Sequence, residues 1–135
     1  MKAIQFYGKN DYALTDVAKP EIGDGELLLK VKAAAICGSD LRTIQNGYQG
    51  VTKETPRIYG HEISGIIEQA GKAAIGYEPG MTVAIAPNMG CGTCDACVSG
   101  NTHLCREYRA FGINMDGDLR NMWRSPRQRS AREMW

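Results

Sequence analysis

At 135 residues the chain has room for one domain with a hydrophobic core and too little for two ordinary ones. Apolar residues make up 43%, charged residues 23%, and the formal net charge is +1, so nothing electrostatic calls for nucleic acid or an anionic membrane as partner. No run approaches the roughly 18–20 apolar residues of a membrane span. The first apolar run breaks at Gln5, so no signal peptide is read and a cytoplasmic location is expected.

Taken in chain order, "MKAIQFY" alternates as a first strand, with "YALTDVAKP" as its hairpin partner across a "GKND" turn. A Gly-rich turn then leads into a strand from about Glu26 to Ala35. "GSDLRTIQNG" is predicted as a short helix, with Ser39 and Asp40 as N-cap candidates and Gly47 as its stop. "PRIYGHEISGIIEQAG" reads as a turn and a strand, because Ile63, Ile66 and Ile67 favour the extended state. "YEPGMTVAIAP" is a further strand entered through a Pro-Gly turn. Many short strands with little helix predict a mainly β, barrel-like domain. From Asp118 the character changes: "DLRNMWRSPRQRSAREMW" is arginine-rich, has two tryptophans and shows no strand pattern, so 118–135 is expected to be a basic tail. An arm for nucleic acid has thin support, since no basic patch precedes it.

Four of the five cysteines, Cys91, Cys94, Cys97 and Cys105, follow C-x2-C-x2-C-x7-C. In a reducing compartment, and with an odd total, metal ligation is a better reading than disulfides. Thiolates suit tetrahedral zinc at about 2.3 Å, and four of them leave no open position, which makes the site structural. Gly90, Gly92 and Gly100 supply the backbone freedom of a metal knuckle. Free thiols, a redox pair and an iron–sulfur centre stay open as alternatives. His103 is not needed to close the set and reads as a solvated loop residue.

The fifth cysteine, Cys37, lies in "CGSDL", and His61 and Glu62 follow in "YGHEISG". Singly, a thiol at a strand end or a lone histidine is most often structural. Together they match a catalytic zinc site, which takes three protein ligands of these types and keeps a position for water or substrate. Cys37 and His61 would be direct ligands, with Glu62 either a third ligand or just behind. Asp40 could accept the second ring N–H of His61 and fix its tautomer. Ser39 offers a hydroxyl able to relay a proton from an alcohol.

Through "GDGELLLKVKAAAICGSDL", "YGHEISGIIEQAG", "YEPGMTVAIAP" and the four-cysteine loop, residues 1–117 resemble the N-terminal catalytic domain of the zinc-dependent medium-chain alcohol and polyol dehydrogenases. The resemblance implies a GroES-like, partly open β-barrel with short helices and a zinc-binding lobe. It implies catalytic zinc on Cys37, His61 and Glu62, and structural zinc on Cys91, Cys94, Cys97 and Cys105. Ser39 would be the relay and Asp40 the carboxylate behind His61. The substrate would be a small alcohol or polyol and the hydride acceptor NAD(P), with homo-oligomers among full-length relatives. The expected function is a catalytic-domain fragment inactive by itself; the alternative is a stand-alone zinc-binding interaction module. No G-x-G-x-x-G of a Rossmann domain follows a strand, so that domain is expected to be absent.

After "FGINMDG" the resemblance calls for "GFAEY" where "DLRNM" stands. One permitted codon set for "DLRNMWR", GAT TTG CGG AAT ATG TGG CGA, becomes GGA TTT GCG GAA TAT GTG GCG when one G is restored in front. That reads Gly-Phe-Ala-Glu-Tyr-Val-Ala. Residues 118–135 are therefore expected to be out of frame, without a selected role.

Overall fold

The computed structural model describes residues 1–125. Strand β1 (Lys2–Gly8) and β2 (Asp11–Asp16) form the expected hairpin, turning through Asn10 at φ 54°, a left-handed conformation that Asn tolerates. Strand β3 (Leu27–Ala35) runs into helix α1 (Gly38–Asn46), which stops at Gly47 with φ 80°. Strands β4 (Arg57–Ile58) and β5 (Glu62–Ala70) follow, then β6 (Thr82–Ala84) and β7 (Asn88–Met89). A loop with the one-turn helix α2 (Asp95–Val98) and a 3-10 turn at Thr102–Leu104 leads to β8 (Arg109–Ala110) and β9 (Met122–Arg124).

All strand pairings between these elements are antiparallel, in sheets ordered β2-β1-β4, β6-β5-β3-β9 and β7-β8. Among the described residues no sheet closes on itself, in keeping with the open barrel expected. The core lies on one face of the four-stranded sheet. Leu27 and Leu29 alternate inward on β3, Ile63 and Ile67 project from β5, and Ala74, Phe111 and Trp123 complete the cluster. Trp123 is 1% exposed and meets Phe111 edge-on at 4.6 Å between ring centroids. No described helix is long and apolar enough to cross a membrane.

Two expectations are corrected. The N-cap of α1 is Cys37, not Ser39 or Asp40. Asp40 sits three residues into the capping box and its carboxylate accepts a hydrogen bond from the Cys37 N–H at 2.9 Å. Nor does the chain from Asp118 lack a strand. The Ile4 N–H donates to Leu119 O and the Asn121 N–H to Lys2 O, pinning this segment to β1. Met122–Arg124 then pairs with Leu28–Lys30 of β3, so 118–124 straps the first sheet to the second. Composition hides this strand because main-chain bonds to two partners, rather than a period-2 side-chain pattern, hold it. Residues 126–135 of the expected tail lie outside the described residues.

Candidate metal centres

The end of β3, the start of α1 and the start of β5 converge on one point. Cys37, as N-cap, is extended at φ −79° and ψ 155°, which turns the chain from strand to helix. Gly60 precedes His61 at φ +93°, a left-handed conformation that glycine adopts without a steric cost. A Cβ at Gly60 would lie 2.3 Å from Asp118 Oδ1 and 2.7 Å from Leu119 Cγ, so only glycine fits there without a shift. The sulfur of Cys37, a ring nitrogen of His61 and a carboxylate oxygen of Glu62 lie within 4.8 Å of one another. Donors about 2.0–2.3 Å from a shared zinc need mutual separations of this size or less.

The neighbours of these groups are ordered. His61 Nδ1 lies 3.5 Å from Asp40 Oδ1, within ion-pair reach although not aligned as a hydrogen bond. Asp40, 2% exposed, therefore touches both candidate ligands, one through its backbone and one through its ring. On the other side of the imidazole, Ser39 Oγ is 3.3 Å from Nε2. A cleft of about 560 Å³ opens from His61 and Glu62 along Ala33, Ala34 and Ala35 to Ile85. One buried group beside the site was not singled out from the sequence: Asp118. Burial pushes its carboxyl up to about 7, with His61 opposing and Asp40 adding to the effect. No local signal reveals it, because its position depends on long-range pairing with Tyr59 and Gly60.

The second cluster is local. Cys91, Cys94, Cys97 and Cys105 bring their sulfurs within 4.8 Å of one another. Main-chain N–H groups point at the sulfurs: Cys91 N–H donates to Cys105 Sγ at 3.2 Å, and Cys94 N–H to Cys91 Sγ at 3.3 Å. The Thr93 hydroxyl and the Thr93 and Cys94 N–H groups bring the Cys91 thiol down to about 6. The Gly92 N–H favours the Cys97 thiolate, yet burial and the three other thiols outweigh it and push Cys97 up to about 11. Four convergent sulfurs within reach of main-chain N–H donors are a donor set that fits zinc. A Cβ at Gly90 would come 2.5 Å from Cys97 Sγ, so the knuckle closes on glycine. His103 is exposed and outside the cluster, as expected.

A thiol–imidazole–carboxylate cluster and a separate four-thiol lobe are thus both carried on this arrangement of short antiparallel strands. Residues 23–132 match the alcohol dehydrogenase GroES-like domain. The chain belongs to the zinc-dependent medium-chain alcohol dehydrogenase family and carries its N-terminal domain. Among its relatives, L-threonine 3-dehydrogenase of Bacillus velezensis is 36% identical over 140 residues, covering 93% of this chain and 39% of that protein. The L-threonine 3-dehydrogenase of Pyrococcus furiosus is 33% identical, covering 94% of this chain and 38% of that one. Galactitol-1-phosphate dehydrogenase from Escherichia coli superposes with a TM-score of 0.87 at 30% identity, over 94% of this chain and 36% of that chain. A Sinorhizobium meliloti protein described as a zinc-binding dehydrogenase, bound to NADP, gives 0.82 at 36% identity, over 93% and 36%. The chain thus spans less than two fifths of the length of these relatives.

Proposed function

We propose that this chain is the metal-binding catalytic domain of a dehydrogenase that oxidises a small alcohol or polyol with NAD or NADP. The observation that carries this reading is the convergence of Cys37, His61 and Glu62, with Ser39 and Asp40 in contact with the same imidazole. Cys37, His61 and Glu62 would hold the catalytic zinc; Cys91, Cys94, Cys97 and Cys105 would hold the structural one. Zinc at the open site supplies Lewis-acid polarisation of the alcohol oxygen.

This chain's own residues do the rest. Asp40, with its charge 3.5 Å from Nδ1, would orient the imidazole with Nε2 toward Ser39. Ser39 Oγ, at that same nitrogen, accepts the hydroxyl proton and passes it outward. The alanines of β3 keep that side of the cleft apolar. A nicotinamide, when bound, would supply the hydride acceptor, and Ser39 would take the proton released by the alcohol oxygen. The chain's relatives include proteins named L-threonine 3-dehydrogenase and galactitol-1-phosphate dehydrogenase, which supports a hydroxyl-bearing substrate. Among the described residues no βαβ unit occurs, so a nicotinamide would be held by a separate domain, and metal binding without turnover is expected of these residues alone.

Val98 and Leu104, 76% and 65% exposed on the lobe, favour a second reading as a zinc-stabilised protein-interaction module. That reading gives no use to Cys37, Ser39, Asp40, His61 and Glu62. Cobalt(II) in place of zinc separates the two. The expected spectrum has two components, and only the one lost in Cys37→Ser shifts when imidazole or an alcohol is added. A spectrum with the four-thiol component alone would refute the dehydrogenase reading.

A further inference from the structure

Among the described residues four buried side-chain atoms have no hydrogen-bond partner: His61 Nδ1, Asp118 Oδ1, Arg120 Nε and Trp123 Nε1. Folded proteins satisfy nearly all such groups, so the distribution of the exceptions carries information. Three of the four fall within the six residues 118–123, and the fourth belongs to His61, beside Asp118.

The backbone of the same stretch shows the opposite behaviour. Asp118 N–H donates to Tyr59 O, Ile4 N–H to Leu119 O, Asn121 N–H to Lys2 O, and Val31 N–H to Asn121 O. Met122–Arg124 pairs in register with β3. These bonds use only groups that any non-proline residue supplies. The path of the chain therefore fits, and Asn121 Oδ1 accepts from the Lys2 N–H, while the side chains at 118, 120 and 123 each leave a buried polar atom without a hydrogen-bond partner. A buried carboxylate and a half-buried arginine, each with one buried polar atom lacking a hydrogen-bond partner, stand where the fold needs a strap between two sheets.

We propose that the codons for residues 118–124 are read one base out of register with those for residues 1–117. Restoring one G before GAT TTG CGG AAT ATG TGG CGA yields Gly-Phe-Ala-Glu-Tyr-Val-Ala. That change replaces Asp118 by Gly, Arg120 by Ala and Trp123 by Val, and so removes all three orphaned atoms at once. It also places Tyr and Val, which favour the extended state, on β9. Trp123 fits in part: its ring fills the core against Phe111, and only its N–H is stranded. The inference does not depend on whether either metal site is filled.

Two measurements test it. The coding DNA is read across codons 117–125. The proposal requires codons that give this heptapeptide when one base is added, in a frame that stays open downstream; any other codon set overturns it. Independently, Asp118→Ala and Arg120→Met are compared with the parent chain by thermal unfolding. Each is expected to raise the midpoint by several degrees, Arg120→Met because it keeps the aliphatic stem and drops the orphaned guanidinium. Midpoints that fall in both variants mean that the two polar groups are selected parts of this fold, and overturn the proposal.

Discussion

Removing the Asp40 carboxylate is expected to separate the two metal centres. In Asp40→Ala the Cys37 N–H loses its 2.9 Å acceptor and His61 Nδ1 loses the charge 3.5 Å away. An N–H left unpaired in a part-buried setting costs about 1–3 kcal/mol, and loss of a helix cap costs about 1 kcal/mol of the same kind. These overlap, since both describe one bond, so the stability loss is set at about 1–3 kcal/mol. Loss of the group orienting a ligating imidazole typically weakens metal affinity by about 10–100-fold. The assay is a zinc titration against a chromophoric chelator, in backgrounds carrying Cys91→Ser or Cys37→Ser to isolate one centre at a time. The Cys37 centre should weaken by that factor while the four-thiol centre keeps its affinity. Asp40→Asn, which retains an acceptor for the Cys37 N–H, should recover the stability but only part of the affinity. Equal weakening of both centres, or of neither, would refute the positioning role of Asp40.

Gly90→Ala drives a methyl to 2.5 Å from Cys97 Sγ, so zinc affinity of the lobe should fall at least about tenfold in the same titration, with the Cys37 centre unchanged. Trp123→Ala empties the centre of the core beside Phe111 and should cost about 3–5 kcal/mol in denaturant unfolding. Asp118 governs a pH response of the metal-free chain. Its carboxyl binds a proton more tightly folded, at about 7, than at its ordinary value of 3.8. The native state therefore holds the extra proton between these values, and stability falls as pH rises through that window. Thermal midpoints taken across it should decline for the parent chain relative to Asp118→Asn; parallel curves would show that the carboxyl is not buried as described.

Much of the site was readable because its chemistry is carried by rare residue types in short strings. Cys37 and Asp40 lie three apart, His61 and Glu62 are adjacent, and the four lobe cysteines fall within fifteen residues. The hairpin of β1 and β2 was legible from alternation and the Asn10 turn. The cap of α1 was misread because Ser39 and Asp40 are the stronger intrinsic N-caps, whereas here Asp40 reaches back to Cys37. Strands β4, β7 and β8 have two residues each, too short for any period to show. The strap at 118–124 escaped notice for a different reason: arginines and a buried aspartate argue against a strand, and only long-range pairing with Lys2, Ile4 and Leu28–Lys30 makes one. Asp118 came to lie beside His61 by the same pairing.

The central claim is two metal centres of unequal openness in one domain, and zinc content per chain tests it most directly. Elemental analysis of the purified chain should give about two zinc ions, with Cys37→Ser and Cys91→Ser each removing a different one. Iron in place of zinc, or a single ion that Cys37→Ser leaves untouched, would contradict it.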